Sequence, residues 1–347
     1  MSDFSDLLLA WYDRHARSLP WRGIHDPYAT WVSETMLQQT RVETVLSYYD
    51  RFLRRFPTVA DLAAAPEEDV LKLWEGLGYY RRARNLHRGA QQVIAEFDGA
   101  IPADVAALRK IHGIGEYTAG AIASIAFDQP VPAVDGNVVR VVSRVKGIRE
   151  NAGIPSVHRR IAAEAAAMVP THRPGDFNQA MMDLGATVCV PGTPSCERCP
   201  VAALCDANRE GDAESLPVLP HQNPPRPLDY DVCLIISRNR VLMRQRTETM
   251  LQGLWVFPMV EGHSALRQLP ALVKRLTSLP VSDVHPHGEA RHVFTHQVWQ
   301  MKLYAMVTDA SDAPPSWRFV TLAEMDALAV PTAVRKAIRS KSHRKFQ

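Results

Sequence analysis

The 347-residue sequence has no long hydrophobic run. A membrane-spanning helix needs at least about 18 predominantly apolar residues in succession, and no stretch of the chain approaches that length. The N-terminal segment MSDFSDLLLAWYDRH begins with acidic side chains and lacks the layout of a signal peptide. These absences exclude a membrane protein and predict a soluble protein of the cytoplasm.

The sequence also lacks an excess of charge of either sign. Lys and Arg number 40 and Asp and Glu number 37, so the formal net charge is +3, which argues against bulk electrostatic binding of nucleic acid. Hydrophobic residues make up 46% and charged residues 22%, a composition that excludes a disordered chain, a collagen-like repeat and a coiled coil. The length predicts two or three domains, each with its own core.

Cysteine is scarce, and its five positions are unevenly spread. Four of them, Cys189, Cys196, Cys199 and Cys205, follow the spacing C-x6-C-x2-C-x5-C. A disulfide framework is not expected in a reducing cytosol, whereas four neighbouring thiolates suit one metal centre, either a 4Fe–4S cluster or a structural zinc ion. Zinc ribbons usually pair two C-x2-C knuckles, so the single knuckle here favours the cluster. The fifth, Cys233, lies in an apolar strand-like run and is predicted to be a buried core thiol.

The pattern of hydrophobic and polar residues changes at a proline-rich segment. Residues 1–210 carry helical patterns broken by Gly and Pro, without sustained β-alternation. Residues 211–227 contain five prolines and predict a semi-extended linker. Residues 228–347 show two strands joined at Arg238-Asn239 and one long strand pattern over 292–307. An all-α domain followed by a small α+β domain is therefore predicted.

Two turns in the helical half have candidate functional groups. Gly113-Ile114-Gly115 separates two helical patterns, and its backbone amides suit a phosphate, although a plain helix–helix turn has the same pattern. Asp135 lies twenty residues after Gly115, beside Gly136, where another helix begins. Asp is a good helix N-cap, and capping is compatible with catalysis because it fixes the carboxylate.

These motifs together resemble the endonuclease III superfamily of DNA glycosylases, and within it the MutY-type adenine DNA glycosylases. The other segments that support the resemblance are LPWR at 19–22, SETMLQQTRVET at 33–44, WEGLGYYRRARNL at 74–86 and VDGNVVR at 134–140. The resemblance implies an enzyme that hydrolyses the N-glycosidic bond of adenine mispaired with 8-oxoguanine or guanine in double-stranded DNA. It further implies a monomer of the bacterial-type cytoplasm with a 4Fe–4S cluster on the four cysteines.

The implied architecture is multidomain. An all-α helix–hairpin–helix glycosylase domain would span 1–210, with the hairpin at about 108–125 and the iron–sulfur loop at 189–205. The linker 211–227 would lead to an α+β Nudix-like domain over 228–347 that recognises 8-oxoguanine. This domain lacks the R-E-x-x-E-E helix of a Nudix box, so pyrophosphatase activity is not expected.

Base excision needs a proton for the departing base and stabilisation of the sugar cation, and two carboxylates in different environments suit this division. Glu34 is predicted within one helix over 31–56, where it falls near the apolar face of Val45 and Phe52. Desolvation there would raise its pKa and suit it to act as an acid, while an exposed Glu near a helix start is the ordinary alternative. The resemblance implies that Glu34 protonates N7 of adenine and that an ionised Asp135 stabilises the sugar.

The resemblance assigns the remaining site residues by motif. Tyr117 stands where bifunctional relatives have a Schiff-base lysine, which predicts a monofunctional enzyme, and Asn137 resembles an asparagine that contacts the site. The other implied positions are Leu19, Trp21 and Arg22 for the adenine pocket, Gln39, Thr40, Leu77, Tyr79, Gly113 and Gly115 for DNA, and Phe294, Thr295 and His296 for 8-oxoguanine. Two arginine-rich clusters are predicted to contact phosphate, Arg81, Arg82, Arg84 and Arg88, and Arg140, Arg144, Lys146 and Arg149.

Two departures from the family pattern and two alternatives remain. His112 replaces the usual proline before Gly113. The loop between Cys189 and Cys196 has no Lys or Arg, whereas the loop in relatives is often basic and contacts DNA. One alternative is another glycosylase of the superfamily, acting on thymine in T·G or on oxidised pyrimidines. The other is a non-catalytic iron–sulfur sensor that binds DNA.

Overall fold

A computed structural model describes residues 4–220 and 223–339. These residues divide into two compact units: the first contains 4–64 and 85–220, and the second contains 65–84 and 223–339. None of the helices in the described part of the chain is long and apolar enough to cross a membrane. The last 13 residues of the sequence contain six Lys and Arg and no Asp or Glu, and the part of this basic tail beyond residue 339 lies outside the described residues.

The first unit is built from helices. They are α1 (Phe4–His15), α2 (Pro27–Leu37), α3 (Val42–Arg55), α4 (Val59–Ala64), most of α6 (Arg81–Glu96), α7 (Val105–Leu108), α8 (Glu116–Phe127), α9 (Gly136–Val145), α10 (Pro155–Met168), α11 (Pro174–Thr187) and α12 (Asp206–Glu210). Short 3-10 turns cover Cys196–Arg198, Ala202–Leu204 and Ala213–Ser215. Among the described residues, no strand precedes Arg226, so the predicted all-α domain is confirmed.

The single helix predicted over 31–56 is wrong. Helix α2 ends at Leu37, Gln39 adopts a left-handed conformation with φ 55°, and α3 begins at Val42. Because the helical phase is lost at this break, Glu34 does not share a continuous face with residues of α3. Glu34 is nevertheless buried, at 5% exposure, because α2 is enclosed on all sides from Tyr28 to Met36.

The second unit contains a mixed sheet and flanking helices. Its elements are α5 (Glu67–Leu73), β1 (Arg226–Ser237), β2 (Arg240–Gln245), β3 (Trp255–Val256), β4 (Met259–Glu261), α13 (Leu269–Thr277), β5 (Ser282–Val293), β6 (Gln297–Val307), β7 (Arg318–Val320), α14 (Leu322–Ala327) and α15 (Thr332–Arg339). The main sheet order is β3-β2-β1-β6-β5, with β1 and β6 parallel and β5 antiparallel to β6. The predicted α+β class is confirmed.

Local predictions for this unit have mixed outcomes. The turn at Arg238-Asn239 joins β1 to β2 and Cys233 is fully buried, both as predicted. The hydroxyl of Thr321 caps α14 together with Glu324 in a capping box. The single strand over 292–307 is wrong, because the chain turns at 294–296 and forms the hairpin of β5 and β6. The polar composition of β5 hid it, since an exposed edge strand needs no apolar alternation.

A short segment distant in sequence completes the second unit. The indole Nε1 of Trp255 donates to Glu68 Oε1 at 2.8 Å, and Lys72 Nζ donates to the carbonyl of Leu328 at 3.0 Å. Arg335 forms an ion pair with Glu75. These half-buried polar contacts hold residues 65–84 against the rest of the sheet domain.

Candidate active site

Glu34 and Tyr117 meet inside the first unit. The Tyr117 hydroxyl, on α8, donates a hydrogen bond to Oε2 of Glu34, on α2. Burial raises the pKa of Glu34, while the Tyr117 hydrogen bond and the charge of Arg22 lower it and the charge of Asp135 raises it. Burial also raises the pKa of Tyr117 well above its usual range, so the phenol stays protonated as a donor. The site thus holds a carboxyl group whose protonated form is favoured by its surroundings.

Asp135 is the N-cap of α9, as the sequence predicted. Its Oδ1 accepts from the amide of Val138 at 2.7 Å, and its Oδ2 accepts from Nδ2 of Asn137 at 2.8 Å. Burial raises the pKa of Asp135, and these hydrogen bonds lower it. The two carboxyl groups therefore differ in their partners: Glu34 receives a phenol, whereas Asp135 receives two amides that favour its ionised form.

The loop that carries Asp135 is fixed by α8 and α11. Asn178 Oδ1 accepts from the amide of Ala133 at 3.0 Å, and its Nδ2 donates to the carbonyl of Val131 at 2.9 Å. A Cβ at Gly120 would lie 2.1 Å from the carbonyl oxygen of Pro132, so only glycine allows this approach. The sequence analysis missed Asn178, because nothing in a local pattern shows that a helical amide binds a loop 45 residues away.

The turn that carries LPWR lies against the same site. Trp21 is buried and packs edge-on against Tyr49, with 5.3 Å between ring centroids. The backbone amide of Arg22 donates to the carbonyl of the half-buried Leu19. Because the charge of Arg22 acts on Glu34, the structure brings this predicted pocket residue near the predicted acid.

The predicted DNA-contact residues of the first unit lie in the turns that connect consecutive helices. Gln39 is exposed and Thr40 half-buried, both between α2 and α3. Gly113 has φ +84°, and Gly115 is the N-cap of α8 with open space around it. Exposed amides of this kind at a helix start suit a phosphate.

In the second unit, Tyr79 meets the predicted 8-oxoguanine loop. The hydroxyls of Tyr79 and Thr295 are 2.5 Å apart, and Tyr79 is 44% exposed. Phe294 packs edge-on against Trp299, while His296 is exposed at the hairpin turn. Leu77 is buried, at 5% exposure, and has to be uncovered before it contacts DNA.

The prediction that the two arginine-rich clusters contact phosphate is wrong for their buried members. Arg82, Arg84 and Arg144 are buried and bind carbonyl oxygens of the chain, because each buried guanidinium needs acceptors. The cations of Lys146 and Arg149 form ion pairs with Glu164 and Asp212. Exposed side chains at these clusters include Arg81 and Arg88.

The four predicted cysteine ligands line one apolar cavity with Val141, Val145, Leu184 and Val188. Arg144 Nη1 donates to Cys189 Sγ at 3.3 Å. Burial raises the pKa of Cys199 to about 11, so a bound metal has to displace its proton. In the described residues, no group of three or more His, Cys, Asp or Glu is placed to hold a single metal ion.

A series of hydrogen bonds connects this cysteine loop with Asp135. Asn137, which donates to Asp135, accepts from Arg140 Nη2 at 2.8 Å. The same Arg140 donates through Nε to the carbonyl of Cys189 at 2.8 Å. Hydrogen bonds through Asn137 and Arg140 therefore join Asp135 to the cysteine loop.

Comparison with known proteins identifies the class. Residues 32–170 match HhH-GPD, the HhH-GPD superfamily base excision DNA repair protein, and residues 231–340 match the NUDIX domain. A solved thermostable thymine-DNA glycosylase is 30% identical, with a TM-score of 0.55 over 60% of this chain and 95% of its own. A trapped endonuclease III–DNA covalent intermediate is 25% identical, with a TM-score of 0.51 over 60% of this chain and 94% of its own. The fold is that of a base excision DNA repair glycosylase.

A relative that matches both domains narrows the class. The adenine DNA glycosylase of Mus musculus is 38% identical, over 97% of this chain and 77% of its own length. The chain belongs to the adenine DNA glycosylase family. It is therefore a DNA glycosylase, a hydrolase that acts on N-glycosyl bonds.

Proposed function

We propose that the enzyme excises adenine mispaired with 8-oxoguanine or guanine in duplex DNA and leaves an abasic site. The observation that supports this most strongly is the buried Glu34, whose raised pKa favours the protonated form, within the influence of Asp135. A general acid needs this protonation state near neutral pH. An adenine flipped out of the duplex has ring nitrogens that such an acid protonates.

In the proposed mechanism, Glu34 gives its proton to N7 of the flipped adenine while Tyr117 holds the carboxyl in place. The C1′–N9 bond breaks, and the positive charge on the sugar is stabilised by the Asp135 carboxylate. Asn137 orients that carboxylate, and water completes hydrolysis at C1′. Because a phenol forms no Schiff base, Tyr117 supports a monofunctional glycosylase without efficient strand cleavage.

The second unit is proposed to recognise the base opposite the adenine. Tyr79 and Thr295 offer hydroxyls at one place, and Phe294 and His296 lie beside them on the hairpin turn. Aromatic rings and hydroxyls suit the stacking and hydrogen bonding of an oxidised purine. The contact between Tyr79 and Thr295 supports their assignment to a single subsite.

We further propose that Cys189, Cys196, Cys199 and Cys205 hold a 4Fe–4S cluster with a structural role. The four thiols line one cavity, and their spacing has a single C-x2-C knuckle where a zinc ribbon usually has two, which favours the cluster over zinc. The purified protein should show the visible absorption of an iron–sulfur centre and about four iron atoms per chain. A colourless protein with one zinc ion per chain would contradict this assignment.

The test of the proposed function is Glu34→Gln. Single-turnover release of adenine from an A·8-oxoguanine duplex should fall at least about 10²-fold, because the amide has no acidic proton to give. Glu43→Gln is the matched control, since Glu43 is exposed in the first turn of α3. Near wild-type release by Glu34→Gln would rule out this mechanism.

A second candidate is a thymine glycosylase, favoured by the shared fold with the solved thymine-DNA glycosylase. A panel of A·8-oxoguanine, A·G and T·G duplexes separates the two activities. Preferential release of thymine would overturn the proposed substrate. Binding of all duplexes without release of any base would instead indicate the non-catalytic sensor.

A further inference from the structure

Asp183, on α11, is a fully buried carboxylate at the centre of a charged cluster. Its Oδ1 accepts from Nε and Nη2 of Arg17, at 2.9 and 2.6 Å, and from Nη2 of Arg22, at 2.8 Å. Its Oδ2 accepts from the backbone amide of Arg17 at 3.2 Å. Burying a charge is unfavourable unless it is paired, and such pairs add little stability over apolar packing. The arrangement therefore calls for a role other than stability.

Two guanidinium groups share this single carboxylate, so the cluster keeps a net positive charge. The side chain of Arg17 is 30% exposed and that of Arg22 is 14% exposed. Arg22 is also held through Nη1, which donates to the hydroxyl of Tyr12 at 3.1 Å. Anchored at both terminal nitrogens, its planar guanidinium has a fixed orientation.

One donor of Arg22 is left without a partner in the part of the chain that the structure describes. Its Nε is buried, and among the described residues it has no hydrogen-bond partner. A buried donor without a partner is costly, and its retention indicates a ligand atom that completes it. Glu34 lies close enough for the charge of Arg22 to act on it, so this donor belongs to the region of the proposed acid.

We propose that Asp183 is a positioning residue of the adenine pocket: it fixes Arg22 so that the Nε–H meets a ring-nitrogen acceptor of the flipped base. The inference rests on the proposed adenine excision. Adenine keeps N1 and N3 as acceptors while N7 receives a proton. In a thymine nucleotide N1 carries the sugar and N3 carries a proton, so neither ring nitrogen accepts a hydrogen bond. Asp183 thereby contributes to base selection through Arg22, without contacting the base.

The experiment measures single-turnover adenine release and duplex affinity for wild type, Asp183→Asn, Arg22→Met and the double variant. We expect Asp183→Asn to slow release by about 10²-fold, since misplacement of a binding group by about 1 Å has that effect. Duplex affinity should stay within about threefold, because the DNA backbone contacts remain. The double variant should be no slower than Arg22→Met alone, since Asp183 acts through Arg22.

Asp13→Asn is the matched control. Asp13 binds Arg173 at 2.6 Å and also joins α1 to the start of α11, but it touches neither Arg17 nor Arg22. Its loss should leave both the rate and the affinity unchanged. Tyr12→Phe removes the other anchor of Arg22 and keeps the ring, so it should slow release by several-fold with affinity unchanged.

The outcomes distinguish a failure of the proposed adenine excision from a failure of the proposed role of Asp183. A wild type that releases no adenine defeats the proposed function. An active wild type with wild-type rates in folded Asp183→Asn, or with additive effects in the double variant, overturns the role of Asp183 alone. If Asp183→Asn does not fold, Tyr12→Phe decides the question: a wild-type rate there overturns the positioning of Arg22.

Discussion

Tyr117 and burial act on the Glu34 carboxyl in opposite directions. Burial raises the pKa of Glu34, and the hydrogen bond from the phenol lowers it. Removing the phenol in Tyr117→Phe should therefore raise the pKa of Glu34 further. Since Glu34 acts as an acid, release of adenine falls as pH rises through that pKa. The alkaline limb of the single-turnover pH–rate profile should move to higher pH in Tyr117→Phe.

A buried tyrosine on the same helix as Glu34 provides the control. Tyr28 donates its hydroxyl to the carbonyl of Phe56 at 2.9 Å. Tyr28→Phe should lower the free energy of unfolding by about 1 kcal/mol and leave the alkaline limb in place. A limb that stays fixed, or moves to lower pH, in Tyr117→Phe would show that the phenol does not set the acidity of Glu34.

The residues of the site differ in how far the sequence predicts them. Glu34 is buried as predicted, but the continuous helical face used to predict this is interrupted at Gln39, and its role as the acid is implied only by the family resemblance. Asp135 has a local signature in the sequence, an Asp directly before a helix. Asp183 and Asn178 have none, since each binds a segment distant in sequence: Arg17 lies 166 positions from Asp183. Arg144 shows the same limit, because its burial depends on carbonyls of the cysteine loop.

At the scale of elements, close packing of the Asp135 loop on α8 depends on Gly120. An alanine Cβ there would lie 2.1 Å from the carbonyl oxygen of Pro132, so helix or loop has to move. Gly120→Ala should lower the free energy of unfolding by about 1–3 kcal/mol and slow adenine release. Chemical denaturation and the single-turnover assay measure the two effects.

Gly136, at the start of α9, is the control for stability. A Cβ at this position meets nothing within 4 Å, and its φ is not left-handed. Gly136→Ala should be as stable as wild type or more so by up to about 1 kcal/mol, because alanine favours helix. Equal stability of Gly120→Ala and Gly136→Ala would contradict the close approach at Pro132.

The periodicity of hydrophobic residues predicts whether most elements are helices or strands. It does not show the two places where a predicted element is interrupted by a turn. The helical pattern runs through Gln38 to Arg41, where the backbone leaves the helix at Gln39 although no Gly or Pro marks the change. The apolar alternation of β6 likewise hides the turn at 294–296. Both breaks carry predicted DNA-contact residues, which is consistent with function overriding local preference.

At the scale of the whole molecule, the order of residues along the chain does not show which residues belong to which unit. Residues 65–84 look like part of the helical half by pattern, yet they belong to the unit of the sheet. Their attachment rests on the pairs Glu68 with Trp255 and Glu75 with Arg335, which join positions 187 and 260 apart. No periodicity in one stretch of sequence reports such pairs, so only the structure assigns this segment.

That assignment places Tyr79 and Thr295 in one unit, and it gives the last prediction. If their hydroxyls form one subsite for the opposite base, Tyr79→Phe and Thr295→Val should each reduce the ratio of excision rates at A·8-oxoguanine over A·G. The double variant should reduce it no further than the stronger single variant, because each change breaks the same 2.5 Å hydrogen bond.

The free energy of unfolding of these variants should change by at most about 1 kcal/mol, since an exposed hydrogen bond contributes little. Thr171→Val, an exposed threonine of the first unit, should leave the ratio unchanged. Additive losses of selectivity would instead show two independent contacts with the opposite base, and unchanged selectivity in both single variants would remove this pair from the subsite.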